Sequence, residues 1–281
     1  MPTGSISIIL PTKNRPKQLV DMINSCLTKS DKPDLIDFIL YVDHNDKSLK
    51  IPGRLSSKVK IITGNKAWLS IMYNTASTQA SGEILMYGSD DIIFISQGWD
   101  TSVRKAFSKL NNGFGLVFPN DLSTYQGKLA THGFITRKWV DTFGYFLPPY
   151  FPDVYTDTWL TKLAEELNCL VYLENVIIEH NQYRQNKSEF DQTYRERIPS
   201  TRIRRPAETF KKLHEEIRID ILIASLEFNY KLKLTHRYLL STIIYKFKKK
   251  SLSKEEKIIL LSTKNTKVAK LFVNRILNSL K

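Results

Sequence analysis

"MYGSDDIIF", residues 86–94, is the stretch on which the fold turns. The run Ile84-Leu85-Met86-Tyr87 reads as a buried strand, and a second apolar run, Ile92-Ile93-Phe94, follows it. Between them stand two adjacent carboxylates, Asp90 and Asp91. Carboxylates are seldom fully buried unless something pairs with them. Three readings fit a strand that ends on such a pair: an Asx turn, a general acid/base pair, or a divalent-cation site. Their neighbours decide between them.

Working back towards the N-terminus, strand and helix signals alternate. "SISIIL" (5–10) is a short β-rich run that ends at Pro11. Next, "RPKQLVDMINSCL" puts Leu19, Met22, Ile23, Cys26 and Leu27 on one helical face, with Pro16 suited to the first turn. "LIDFILYVD" (35–43) and "KVKIIT" (58–63) read as strands, and Leu69, Met72, Tyr73 and Ala76 mark a second helix. This alternation predicts an α/β sheet with helices on both faces. The loops from 119 to 157, including "YFLPPYFPDVY", are rich in Pro, Gly and aromatics and read as a shaped substrate loop. A helix over 157–168 follows, then the strands "CLVYL" and "NVIIEH", and His180 closes this body.

Such sheets collect ligands beyond the carboxyl ends of their strands. Polar residues gather at those ends here: Thr12, Asn14 and Arg15 after the first strand, Asp43 after the second, Asp90 and Asp91 after the fourth. An oxygen-rich site joined by the imidazole of His180 suits Mg²⁺ or Mn²⁺. Trp68, Trp99, Trp139 and Trp159 can stack on a sugar or base, but aromatics at helical spacing are ordinarily core. His132 either lines an acceptor side or is a plain surface-loop histidine. No Gly-rich phosphate loop, Ser/His/Asp set or zinc spacing is present.

The 281 residues suffice for one large domain, or one domain with an appendage. With 42% hydrophobic and 25% charged residues, the composition is that of an ordinary core and surface. No signal peptide or bilayer-length apolar run is evident. Cys26 and Cys169 lie in apolar contexts and read as reduced structural thiols, which fits a cytoplasmic location. The net charge of +14 is unevenly placed. Residues 1–181 hold 18 Lys+Arg and 18 Asp+Glu, whereas 182–281 hold 24 and 10. The expected division is therefore a neutral body, 1–182, and a basic, mainly helical region, 183–281.

"SIILPTKNRP", "LYVDHND", "NKAWLSIMYNTASTQASGEILMYGSDDIIF…GWD", "HGFITRKW" and "DVYTDTWL…VIIEH" come in an order that resembles GT-A-fold, family-2-like glycosyltransferases. The resemblance covers about residues 5–182. It implies a GT-A-type mixed, mostly parallel sheet flanked by helices, to which this chain adds its basic C-terminal helical appendage. It implies a nucleotide-sugar donor, UDP-linked by expectation, and Mn²⁺ or Mg²⁺ as cofactor. Pro11, Thr12, Asn14 and Arg15 match the segment that approaches the nucleotide, and Asp43 matches the acid that hydrogen-bonds the base. Asn74 matches the Asn lining the donor pocket. Ser89-Asp90-Asp91 matches the DXD-type motif, with Asp90 towards the ribose and Asp91 towards the metal, or Asp90 on the metal in the other register. His180 matches a late histidine that completes the metal site. Asp157 matches the catalytic base of inverting members, with Asp153 as a competitor and a plain helix N-cap as the alternative. The sequence departs from the pattern in having Ser where the first acid of the motif stands, and "VDHND" in place of two adjacent acids.

In the basic region, Arg184, Lys187, Arg195, Arg197, Arg202, Arg204 and Arg205 are interleaved with Tyr183 and Tyr194. Helical stretches are expected at 207–233, 235–250 and 253–280, with apolar stripes such as Ile217, Ile221, Ala224 and Phe228. One reading is a peripheral anchor at the anionic inner membrane surface, with a glycan or glycolipid acceptor. The other is contact with a nucleic-acid backbone, with hydroxylated bases of phage DNA as acceptor. The amphipathic stripes favour the first; a solvated charged face is the plain alternative. A non-catalytic nucleotide-sugar-binding module accounts less well for Asp43, Asp90, Asp91, Asp157 and His180 together. A nucleotidyltransferase leaves "TDTW" unexplained.

Overall fold

A computed structural model describes residues 4–149, 151 and 154–181. Asp153, the arginine-rich stretch and the three expected C-terminal helices lie outside the described residues. The first strand, β1 (Ile6–Thr12), is buried almost throughout, as a strand covered by helices on both sides must be. It is followed by α1 (Pro16–Thr28), β2 (Ile36–Asp43), β3 (Val59–Gly64), α2 (Leu69–Ser77), β4 (Ile84–Tyr87) and β5 (Ile92–Phe94). Then come α3 (Trp99–Lys109), β6 (Leu116–Asn120), β7 (Gly133–Thr136), α4 (Arg137–Phe143), α5 (Thr156–Glu166) and β8 (Leu170–His180).

One eight-stranded sheet runs β3-β2-β1-β4-β7-β6-β8-β5. The block β3-β2-β1-β4 is parallel. β7 is antiparallel to both β4 and β6, β8 is parallel to β6, and β5 is antiparallel to β8. Successive side chains of each strand enter opposite layers. Ile9, Ile39 and Leu85 pack with α2, α4 and α5 around Trp139 and Trp159. Ile8, Leu10, Phe38 and Leu40 pack with α1 and α3 around Trp99. Trp99 is fully buried, its ring centroid 4.7 Å from Phe94 and 5.7 Å from Phe134. Its truncation to Ala should cost about 3–5 kcal/mol.

The expected mixed α/β sheet is therefore present. Three tryptophans, Trp99, Trp139 and Trp159, are core, whereas Trp68 is 51% exposed. Two local expectations change. "CLVYL" and "NVIIEH" belong to one strand, whose first part, Leu170–Leu173, pairs with β6 while Ile178–His180 pairs with β5. The span 119–157 is not all loop, because β7 and α4 fall within it. Four-residue β7 is too short to show a period, and only its antiparallel place between β4 and β6 gives it partners.

Candidate active site

β1 and β4 run parallel and side by side, so their carboxyl ends emerge together. The turn after β4 thereby meets the segment after β1. Thr12 donates its hydroxyl to Asp90 Oδ2 at 2.8 Å, and Arg15 Nη1 donates to Asp90 Oδ1 at 3.0 Å. Arg15 also stands 3.6 Å from Asp91 Oδ2. Thr12, Arg15 and Asp90 are all buried. Burial first, and the charge of Asp91 second, push the Asp90 carboxyl up to about 6, against the pull of Arg15 and Thr12.

Adjacent residues turn to different sides, and Asp91 faces another set of partners. Ser89 donates its hydroxyl to Asp91 Oδ1, and His180 Nε2 lies 3.3 Å from the same oxygen. Ser89 Oγ is also 2.9 Å from His132 Nε2. The His132 and His180 rings meet edge to face, with centroids 4.5 Å apart. His180 arrives as the last residue of β8, opposite Ile92 of β5. His132 immediately precedes β7, whose Gly133 pairs with Tyr87 of β4. A Cβ at Gly133 would sit 2.6 Å from the Tyr87 hydroxyl oxygen, so glycine permits this close approach. His132 is only 6% exposed, which corrects its reading as a surface-loop residue.

Asp121 stands behind the two histidines. Its carboxylate accepts bonds from the Thr131 hydroxyl and the Ser123 backbone, and its backbone carbonyl accepts from His180 N at 3.2 Å. Burial works to raise this carboxyl, but those bonds and the nearby His132 hold it below the usual carboxylate range.

On the other flank, Asp43 ends β2, with Lys13 Nζ 3.5 Å from Oδ2 and the Asn45 N–H on Oδ1 at 3.0 Å. Asn14, at φ 57, donates its backbone N–H to Asp46 Oδ2 at 2.9 Å, fastening the loop after β1 to the loop after β2. Pro11 lies in β1 beside Tyr41. Asn74, on α2, directs its amide to chain packing: Nδ2 donates to Leu147 O at 2.8 Å, and Oδ1 accepts from Phe146 N at 2.7 Å and Leu147 N at 3.0 Å. It thus ties α2 to the start of the aromatic loop.

That loop leads into α5 through Tyr155, held at φ 71. Asp157 lies one residue inside the helix rather than at its cap, and its Oδ1 accepts the Thr158 N–H at 2.7 Å. Its charge is felt at the buried Tyr87 hydroxyl, whose pKa is raised by burial first and by Asp157 next. Tyr87 is the last residue of β4, three positions before Asp90.

Asp91, His132 and His180 each offer one ligand atom, and the three atoms lie within 4.8 Å of one another. Two imidazole nitrogens and one carboxylate oxygen fit a divalent cation. The sequence brought forward two of the three. His132 was hidden because its partners come from β4 and β8, 43 and 48 positions away in the chain.

Residues 7–142 match the Glycosyl transferase family 2 model. No curated protein matches the sequence. Among solved structures, the chain is similar to S. aureus TarS 1–349 in complex with UDP-GlcNAc, with TM-score 0.58, 16% identity, and coverage of 83% of this chain and 69% of that one. It spans 44% of the longer S. aureus TarS structure, at TM-score 0.54, 16% identity and 89% coverage of this chain. A structure of GalNAc-T7 with UDP, GalNAc and Mn²⁺ is similar at TM-score 0.52 and 11% identity, covering 63% of this chain and 43% of that one.

Proposed function

We propose that this chain, a glycosyltransferase whose residues 7–142 form a Glycosyl transferase family 2 domain on a GT-A fold, moves a sugar from a UDP-linked donor to an acceptor hydroxyl with inversion. The observation that carries the proposal is the convergence of Thr12, Arg15, Asp90, Asp91, His132 and His180 at the strand ends beside β4. The UDP-GlcNAc in TarS and the UDP and Mn²⁺ in GalNAc-T7 support the donor and cofactor classes.

In this reading Asp43, supported by Lys13, hydrogen-bonds the base, and Pro11, Thr12 and Asn14 form the wall that the nucleotide meets. Arg15 and Thr12 hold Asp90, and Asp90 holds the turn that presents Ser89 and Asp91. Asp91 and His180, with His132 beside them, would hold the Mn²⁺ or Mg²⁺, which when bound neutralises charge on the departing diphosphate. Asn74 shapes the donor pocket by fixing Phe146 and Leu147. Asp157 takes the proton of the acceptor hydroxyl as its oxygen bonds to the anomeric carbon, while the sugar–phosphate bond breaks and the electron pair leaves on the diphosphate. Attack from the face opposite the leaving group inverts the anomeric centre.

The acceptor reading rests on charge: residues 182–281 hold 24 Lys+Arg against 10 Asp+Glu. A glycan or glycolipid at the anionic cytoplasmic face of a membrane fits a peripheral enzyme of this kind. Among the described residues no helix is long and apolar enough to cross a membrane. Incubation with a panel of nucleotide sugars and two acceptor pools, membrane glycolipid and hydroxymethylated DNA, followed by mass spectrometry, tests the proposal. A product in the lipid pool that disappears with chelator supports it. Transfer to DNA alone moves the acceptor class, and donor binding without any product makes the domain a binding module.

A further inference from the structure

We infer that the β3 edge of the body, from the loop after β2 to the first turn of α2, is a membrane-docking surface, whose lysines meet anionic headgroups while Trp68 and Ile71 enter the headgroup boundary. This deepens the proposed function by naming the surface that brings the body to a membrane-borne acceptor, and it rests on that reading for the choice of partner.

Charge is the first observation. Residues 44–71 hold six Lys+Arg against one acid, Asp46, which leaves 12 Lys+Arg and 17 Asp+Glu in the rest of residues 1–181. The body is neutral in sum, yet this segment of 28 residues carries +5. Lys47, Lys50, Arg54, Lys60 and Lys66 are exposed. Lys58 is partly buried, 3.5 Å from Asp34. α2 also starts here, with no acidic residue in its first turn and no side-chain cap, so the positive end of its dipole adds to the same field.

Exposed apolar surface is the second. Six large hydrophobic side chains are exposed among the described residues, and three of them, Ile61, Trp68 and Ile71, fall in this segment at 45%, 51% and 48%. Single exposed apolar residues are ordinary. Three within one short cationic stretch mark an interaction surface. Trp68 and Ile71 stand three positions apart at the start of α2, so they share one face of the helix. Placement is the third. β3 is the terminal strand of the sheet, paired with β2. Its Gly64 lies opposite Asp43, so this edge adjoins the strand ends at which the donor base is proposed to sit. A body docked here keeps its site beside the surface from which a lipid-borne hydroxyl arrives.

Lysines on an edge strand can serve simply to discourage edge-to-edge pairing. That accounts for Lys60 but leaves Trp68 and Ile71, which belong to a helix, without a role. Nucleic acid fits less well. Phosphate recognition on a nucleic-acid backbone favours Arg, whereas this segment has five Lys and one Arg, and Ile61 and Ile71 offer no plane to a base. Trp and Ile ringed by Lys is the composition of an interfacial membrane contact.

The tryptophans make the test specific. Trp99, Trp139 and Trp159 are fully buried, Trp68 is exposed, and residues 182–281 contain no tryptophan. The full chain is mixed, without nucleotide sugar, with vesicles of phosphatidylglycerol and phosphatidylcholine, or of phosphatidylcholine alone. The expected result is a blue shift of tryptophan emission on the anionic vesicles and quenching by lipids brominated near the headgroup, both lost in Trp68→Phe. Trp68→Ser combined with Ile71→Ser should weaken vesicle affinity by about tenfold or more. Lys50→Glu combined with Lys60→Glu should weaken it at low salt and have little effect at high salt. Melting curves that match the parent confirm that each variant folds. Vesicle binding by the full chain with no change in tryptophan emission assigns the anchoring to residues 182–281 alone; it overturns the inference and leaves the proposed acceptor standing. Quenching by duplex DNA and not by lipid also overturns it. Insertion of Trp68 by a chain that transfers no sugar to lipid supports the inference and removes the acceptor reading.

Discussion

Arg15→Met tests how the paired carboxylates are tolerated. Arg15 Nη1 lies 3.0 Å from Asp90 and 3.6 Å from Asp91, with its own side chain only 8% exposed. At an effective dielectric of about 20 each contact is worth roughly 5 kcal/mol before desolvation, and removing one member of a buried pair costs about 3–5 kcal/mol net. For a domain of this size that lowers Tm by roughly 6–20 °C. The sign of the pH dependence follows from Asp90. Its carboxyl is raised to about 6, by burial and then by Asp91, from an unfolded value of about 4. The fold therefore loses stability as pH climbs through that window, not as it falls. Without Arg15 the positive charge beside Asp90 that holds the value down is gone, so the loss extends to higher pH. Melting curves in chelator should show Arg15→Met nearest to the parent at pH 5 and furthest from it at pH 8. Adding Asp90→Asn should restore much of the deficit, because the Met then faces a neutral amide. An equal deficit at both pH values with no recovery in the double variant would refute the electrostatic account and leave Arg15 acting through packing alone.

Three further outcomes are expected. Asp157→Asn should keep donor affinity within about twofold while transfer falls by ~10²–10⁴, measured by calorimetry with UDP-sugar and by product formation; Asp153→Asn should lose far less, and the reverse pattern would move the base to Asp153. Asn74→Ala removes three bonds to Phe146 and Leu147 and should cost about 2–3 kcal/mol, with faster proteolysis within 144–149. Deleting residues 207–281 should weaken binding to anionic vesicles with a steep salt dependence in the intact chain; vesicle binding unchanged by the deletion would leave the charge as a solvated face.

Most of the parallel half of the sheet was legible because β1, β2 and β4 are buried on both faces and α1 carries a clear apolar stripe. Ile6–Leu10 and Leu19, Met22, Ile23 and Cys26 needed no tertiary information. β7 and α4 were not legible, since four and seven residues are too few for a period to declare itself. α3 has no counterpart among the expected elements, although Trp99, Val103, Ala106 and Phe107 carry helical spacing. In the site, the residues that end strands could be placed by topology. Those that depend on which loop crosses which strand end could not, and His132 and Asp121 are of that kind. Asn74 shows the opposite case: the motif marks the residue, but only coordinates show that its amide grips Phe146 and Leu147 rather than facing outward.

The two adjacent aspartates acquire different tasks from where β4 sits. On one side β4 borders β1, in parallel, and on the other it borders β7, in antiparallel. The parallel neighbour delivers Thr12 and Arg15 from a strand end, and these take Asp90. The antiparallel neighbour reverses direction, so it is the start of β7 that reaches the same edge, bringing His132; β8 ends nearby and brings His180. Asp91 answers to them. A sheet parallel throughout would bring only strand ends to this edge, and the residue before β7 would lie at the far one. The switch from parallel to antiparallel at β4 is therefore what allows one turn to bond Thr12 and Arg15 with one carboxylate and to meet Ser89 and His180 with the next. Exchanging Asp90 and Asp91 for Asn separately should divide the two tasks, the first altering the Arg15-dependent pH profile and the second abolishing Mn²⁺ binding.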